Sequence, residues 1–171
     1  MQRHVSTAGF VLAGLLILGI AGQISAGEQV PFQGTLEGDE AGTPLDPPFT
    51  MGMIDAEGNA TQLGQFTLEA SFIVNTATRT GEGVFIFTAA NGDMLTASFT
   101  GQAAPTDVPG VVFIVETATI DPTQSTGRFA GATGGFVVER LFDRAAGKTI
   151  GTFEGTISSP GANRPRIESG R

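Results

Sequence analysis

A phenylalanine followed two residues later by a glycine recurs along the chain, at Phe32-Gln33-Gly34, Phe99-Thr100-Gly101, Phe129-Ala130-Gly131 and Phe153-Glu154-Gly155. Residues two apart share one face of a strand. Each repeat therefore sets a large side chain beside an absent one on the same strand face. The interior of a small barrel, which tapers and whose strands bend and cross closely, takes this large-then-small pattern. From Gly27 onward no stretch has helical periodicity, and Val, Ile, Thr and Phe punctuated by Gly favour strands and turns.

The runs predict strands over Val30 to Glu37, Thr50 to Asp55, Gln65 to Thr76, Gly83 to Ala89, Met94 to Gln102, Val111 to Ile120, Gly135 to Phe142 and Thr149 to Ser158. Eight strands at short spacing imply an all-β, eight-stranded antiparallel barrel, with a β-sandwich as the alternative architecture. Alternation is clearest over Gln65 to Thr76, where Phe66, Leu68, Ala70, Phe72 and Val74 share one face and Thr67, Glu69 and Ser71 the other. Val84 to Phe87 and Val111 to Val115 are apolar on both faces, which predicts cover by a loop, a neighbouring set of strands or a second subunit, and so allows a homo-oligomer. Asn91-Gly92 between two strand runs predicts a type I′ hairpin, and Glu57-Gly58-Asn59 and Ala146-Gly147-Lys148 are weaker turn signals. Gly38 to Pro48 and Ala103 to Gly110 hold prolines, acids and small residues and read as longer loops.

The domain plan has three parts. Residues 1–26 carry Arg3, the apolar run Phe10 to Ala21 and the small-residue ending Ile24-Ser25-Ala26, the layout of a secretory signal peptide, whose run is shorter than the roughly 20 residues of a spanning helix. Residues 27–159 form the barrel domain, and residues 160–171 read as a disordered tail. The product is expected in a periplasm or outside the cell, with no membrane attachment after cleavage.

The 171-residue chain has nine Lys or Arg, seventeen Asp or Glu and a net charge of −8; removing residues 1–26 takes away Arg3 and no acid, which leaves eight against seventeen, or −9. Such a chain repels phosphate backbones, so no nucleic-acid partner is expected. There is no cysteine, so an exported product stands on packing without disulfides. The single histidine, His4, lies in the leader, and Cys, Tyr and Trp are absent. Ser-His-Asp and Cys-His catalysis are thereby excluded within one processed chain, and zinc or copper sites lose their usual ligands. No catalytic residue, cofactor or metal is assigned.

The stretch "STGRFAGATGGFVVER", residues 125–140, raises the question of a phosphate-cradling loop. That reading needs a helix after the glycines, whereas Phe136-Val137-Val138-Glu139-Arg140 continues as a strand, and Gly147-Lys148-Thr149 lacks the upstream glycine of a Walker motif. Asp55, Glu57 and Asn59 place oxygens at alternate positions like the start of a calcium loop, but Ala60 and Phe66 stand where an EF-hand needs glycine and glutamate. Asn59-Ala60-Thr61 is a glycosylation sequon on a surface turn.

Three charges interrupt apolar strands: Glu116, Glu139 and Arg140. Adjacent Glu139 and Arg140 point to opposite faces of a strand, so one of them is a candidate for the lumen, where a buried charge needs a partner. A carboxylate in an apolar lumen has a raised pKa suited to acid or base work. The competing reading places all three at strand ends or in solvent-exposed cross-strand pairs.

The segments "TGRFAGATGGF" and "GTFEGTI" resemble the closing strands of the barrel shared by allene oxide cyclases, dirigent proteins and similar exported bacterial proteins. The resemblance covers Ser125 to Ile157 well and is architectural over Val30 to Gln102. It implies a calycin-like, allene oxide cyclase-like barrel that can hold an apolar small molecule in its lumen and can assemble as a trimer. Catalytic members of that family use particular polar lumen side chains, none of which maps onto a position here. The expected function is an exported, non-enzymatic module that is structural or binds a small apolar ligand, with a lumen-site isomerase or cyclase, or an envelope interaction module, as alternatives.

Overall fold

The computed structural model describes residues 28–158 and 160–161. The expected leader at 1–26 and residues 162–171 of the expected tail lie outside the described residues. Eight strands follow one another in chain order: β1 (Gln29–Pro44), β2 (Phe49–Ala60), β3 (Gly64–Asn75), β4 (Thr80–Ala89), β5 (Met94–Pro105), β6 (Val111–Ile120), β7 (Gly134–Asp143) and β8 (Lys148–Ser158). Every neighbour is antiparallel, and the sheet closes on itself where β1 pairs with β8 from Gln29 opposite Ser158 to Asp39 opposite Lys148. Closure removes both free sheet edges and decides for the barrel over the sandwich.

Because side chains alternate across each strand, one set per strand enters the lumen. In β1 this set is Phe32, Gly34, Leu36, Gly38, Glu40 and Gly42; in β8 it is Thr149, Gly151, Phe153, Gly155 and Ile157. The glycines make room sideways. A Cβ on Gly155 would lie 2.7 Å from the Phe136 Cβ, one on Gly34 2.7 Å from the Phe153 ring, and one on Gly83 2.4 Å from the Phe72 Cβ. Gly34, Gly83 and Gly155 thus each sit under a phenylalanine of the next strand, which makes room for the rings inside the barrel.

At one end the lumen is filled. Phe32, Phe66, Phe87, Phe136 and Phe153 form a ring cluster, with centroids 5.1 Å apart for Phe32 and Phe153, 5.2 Å for Phe32 and Phe136, and 5.2 Å for Phe66 and Phe87. Edge and tilted pairings of this kind add about 0.5–1.5 kcal/mol each beyond area burial. Beyond the rings, the segment between β6 and β7 folds under the barrel. Thr126 donates its N–H to the Met94 carbonyl (2.8 Å), Ser125 Oγ accepts from the Thr96 N–H (3.1 Å), and a 3₁₀ turn, Gly127–Phe129, inserts a fully buried Phe129. Gly127 has φ +58°, and a Cβ there would meet the Asp93 carboxylate at 1.7 Å. Its glycine is therefore required by both conformation and space. The expected strand at Phe129-Ala130-Gly131 is thus a plug, and the glycines of the 125–140 stretch close the barrel instead of cradling an anion.

Other strand limits also move. Gly38 to Pro44, read as loop, continues β1 because β2 supplies partners as far as Pro44 opposite Thr50. Glu57-Gly58-Asn59 lies inside β2, with the turn falling at Thr61 to Leu63, and Ala103 to Pro105 extends β5. The Asn91-Gly92 turn joins β4 to β5 as expected, but only Gly92 has positive φ (+85°), where a type I′ turn needs it at both central residues. The Ala89 N–H bonds to the Asp93 carbonyl and the Gly92 N–H to the Ala89 carbonyl, the pattern of a type I turn followed by a glycine bulge. The outward side chains of Val84, Ile86, Val111, Phe113 and Val115 are half-buried on the outer wall.

Candidate functional site

The other end of the barrel is open. Above Phe72 and Phe99, whose rings lie 6.1 Å apart, the lumen widens into a cavity of about 450 Å³ walled by Val74, Val112, Ile114 and Phe142 and entered between the β1–β2, β3–β4, β5–β6 and β7–β8 loops. Its volume falls in the range of about 300–1,000 Å³ typical of small-molecule sites.

Polar side chains, three of them charged, converge on this end from four consecutive strands, β6, β7, β8 and β1. Arg140 of β7 meets Glu116 of β6 in a two-pronged pair: its Nε donates to Oε2 (3.0 Å) and its Nη2 to Oε1 (2.8 Å). Its Nη1 donates to Glu40 Oε2 of β1 and to Thr149 Oγ1 of β8 (3.1 Å), and that hydroxyl donates onward to the Leu141 carbonyl (3.2 Å). The guanidinium carbon also stands 5.9 Å from the Phe72 ring centroid. All four polar residues are buried.

The register explains why the cluster fits. Gly101 lies opposite Glu116, and a Cβ there would come 2.7 Å from the Glu116 Cγ; Gly151 lies opposite Arg140, where a Cβ would come 2.5 Å from the Arg140 Cβ. The device that seats phenyl rings at the closed end seats an ion pair at the open one.

Electrostatics set the protonation of the group. Two carboxylates around one guanidinium would leave a buried net charge of −1. Burial pushes the Glu40 carboxyl above the ordinary glutamate value, against the pull of Arg140 and with the push of Glu116. For Arg140, burial works against the charged form, but the hydrogen bonds and charges of Glu116 and Glu40 outweigh it and raise its pKa. The arginine stays charged while Glu40 holds a proton more readily than a free glutamate does. Breaking such a buried group by removing one partner costs about 3–5 kcal/mol, although an apolar replacement of the whole group is often neutral or better.

Of the three charges singled out in the sequence, Glu116 and Arg140 come together in the lumen, and Glu139 is exposed on the outer wall beside Val115 and Thr152. Sequence reasoning missed Glu40 and Thr149. Glu40 sits in a stretch that reads as loop by composition, yet the alternation Phe32, Gly34, Leu36, Gly38, Glu40, Gly42 runs on unbroken and carries the inward face past Gly38. Thr149 is the matching first member of Thr149, Gly151, Phe153, Gly155.

Among the described residues no group of three or more His, Cys, Asp or Glu is placed to hold a metal ion, and no helix is long and apolar enough to cross a membrane. No protein-family model, curated protein or solved structure matches this chain.

Proposed function

We propose that this chain is an exported, non-enzymatic barrel module that binds a small, predominantly apolar ligand in the cavity at its mouth. The observation that carries the reading is the unequal filling of the lumen: rings occupy one end, and a cavity of about 450 Å³ with mainly hydrocarbon walls occupies the other. An eight-stranded barrel is just wide enough either to be filled by side chains or to hold one small ligand, and this chain does both in series. The resemblance of Thr126 to Phe136 and Gly151 to Ile157 to the allene oxide cyclase and dirigent barrels supports the same reading, and the apolar run within residues 1–26 supports export.

The test is a titration with the uncharged fluorophore N-phenyl-1-naphthylamine. Saturable binding at one site per chain is expected, and Ala103→Trp, which places an indole in the cavity wall, is expected to abolish it while the far-ultraviolet circular dichroism stays unchanged. Absence of saturable binding, or binding indifferent to Ala103→Trp, overturns the reading.

A lumen-site isomerase or cyclase is the second reading, and Glu40 is the observation that favours it: a carboxyl at the cavity wall whose pKa burial raises above the ordinary glutamate value is placed to exchange a proton with a bound ligand. The two part on Glu40→Gln. Ligand binding survives that change in both cases, and turnover of the bound compound, followed by mass, is lost only in the second.

A further inference from the structure

The cavity carries a charge opposite to that of the protein around it. Three arginines, Arg79, Arg140 and Arg144, line it against two glutamates, Glu40 and Glu116, a formal +1 in a chain of net charge −8. Both glutamates are already bound by Arg140. Of the cations among the described residues, Arg128 pairs with Asp93 and Lys148 with Asp39; Arg79 and Arg144 alone make no ion pair, and both lie at the mouth. With seventeen acids available, leaving these two guanidinium groups unmatched at one opening is not what an acidic surface does by default.

The backbone holds Arg79 in place at some cost. It has φ +59° in the turn joining β3 to β4, a left-handed conformation that non-glycine residues seldom adopt. The Gln102 side-chain amide donates to the Thr78 and Arg79 carbonyls at 3.2 and 3.1 Å, and the Ala103 N–H donates to the Arg79 carbonyl at 2.9 Å. On the β7–β8 side, the Arg144 N–H donates to the Gly110 carbonyl at 3.1 Å, tying two mouth loops together. Strained, pinned residues of this kind cluster at ligand clamps.

Resting on the reading of the cavity as an apolar-ligand site, we infer that its ligand is an amphiphile with one anionic group, the hydrocarbon part lying between Phe72, Phe99 and Ile114 and the anion meeting Arg79 and Arg144 at the mouth. Arginine suits this role because its fork of donors binds oxyanions and its charge does not titrate in the accessible pH range. A carboxylate, sulfonate or phosphate head meets the same requirement.

The test pairs N-phenyl-1-naphthylamine with 8-anilinonaphthalene-1-sulfonate, which has the same aromatic frame and adds one sulfonate. The anionic probe is expected to bind about tenfold more tightly at low salt, and to lose that advantage as salt rises while the neutral probe does not. Arg79→Asn, which keeps a residue tolerant of the left-handed turn, and Arg144→Gln are each expected to weaken the anionic probe about 3- to 10-fold and to leave the neutral probe within about twofold. Anionic binding that persists in Ala103→Trp lies outside the cavity and overturns the inference. So does equal affinity for the two probes, or a loss of both probes together in the arginine variants, which would make the arginines shapers of the mouth. Failure of the neutral probe on the unaltered chain instead overturns the cavity reading itself, and the inference falls with it.

Discussion

The closed and open ends of this barrel use one backbone plan to bury opposite chemistries. At the closed end Gly155 lies beneath Phe136; at the open end Gly151, four residues earlier on the same strand, lies beneath Arg140. Apolar rings at the first position interlock without directional demands, so shape alone specifies them. A guanidinium at the second demands partners in fixed directions, and Glu116, Glu40 and Thr149 supply them from three other strands. The lesson is that the glycine ladder sets where bulk enters the lumen, and the identity of the bulky residue then decides whether that layer becomes core or site.

The two ends should answer the same insult differently. Phe87 has five neighbouring rings with centroids within 6.3 Å, and Phe87→Ala is expected to cost about 3–5 kcal/mol in urea unfolding, with no second change able to restore it cheaply. Arg140→Met is expected to cost a similar 3–5 kcal/mol, because it strands two buried carboxyls, but the triple change Glu40→Leu, Glu116→Leu, Arg140→Met should recover all of that loss. A triple variant as unstable as Arg140→Met alone would show that the open end is core in disguise, and the contrast would be broken.

A smaller effect is expected from Gly151→Ala. The added methyl would crowd the Glu139 carbonyl at 2.6 Å as well as Arg140, so a loss of about 1–3 kcal/mol is expected in chemical denaturation. Gly155→Ala, crowding the Gly135 carbonyl at 2.1 Å, should cost at least as much, since rings pack its other side. If either is silent, the strand spacing there is looser than the ladder requires.

The smallest effect concerns pH. The Glu40 carboxyl has a higher pKa folded than unfolded, so the folded state binds its proton more tightly. Its contribution to stability is fully present below the unfolded glutamate value and is lost as pH rises through the folded one. Melting temperatures measured upward from about pH 4 should therefore fall more steeply for the unaltered chain than for Glu40→Gln. Parallel profiles would mean that the open-end cluster titrates no differently from free side chains. The closed end has no titratable residue in its ring cluster and supplies the flat reference.

Much of this contrast is legible in the sequence. Alternation and the Phe-x-Gly spacing give the eight strands, and charges interrupting apolar runs point to Glu116 and Arg140. The parts that escape are those that depend on a distant strand. Glu40 looks like loop because Gly38 to Pro44 is acidic and contains proline, and only β2 and β8 beside it make that stretch a wall. Phe129 follows the repeat but leaves the sheet, since Gly127 turns left-handed against Asp93, a contact made across 34 positions of sequence (127 less 93). Around Phe129 the neighbouring residues carry no trace of that event, and around Glu40 the only local sign is the alternation of Gly38, Glu40 and Gly42.

The pairing of β1 with β8 has a consequence for how the molecule is presented. Gln29 and Ser158 face each other at the plugged end, so the first and last strands begin and finish on the side opposite the cavity. A tether, a tag or a neighbouring module joined at either terminus would hold the barrel like a cup by its base. The opening would then face away from the point of attachment.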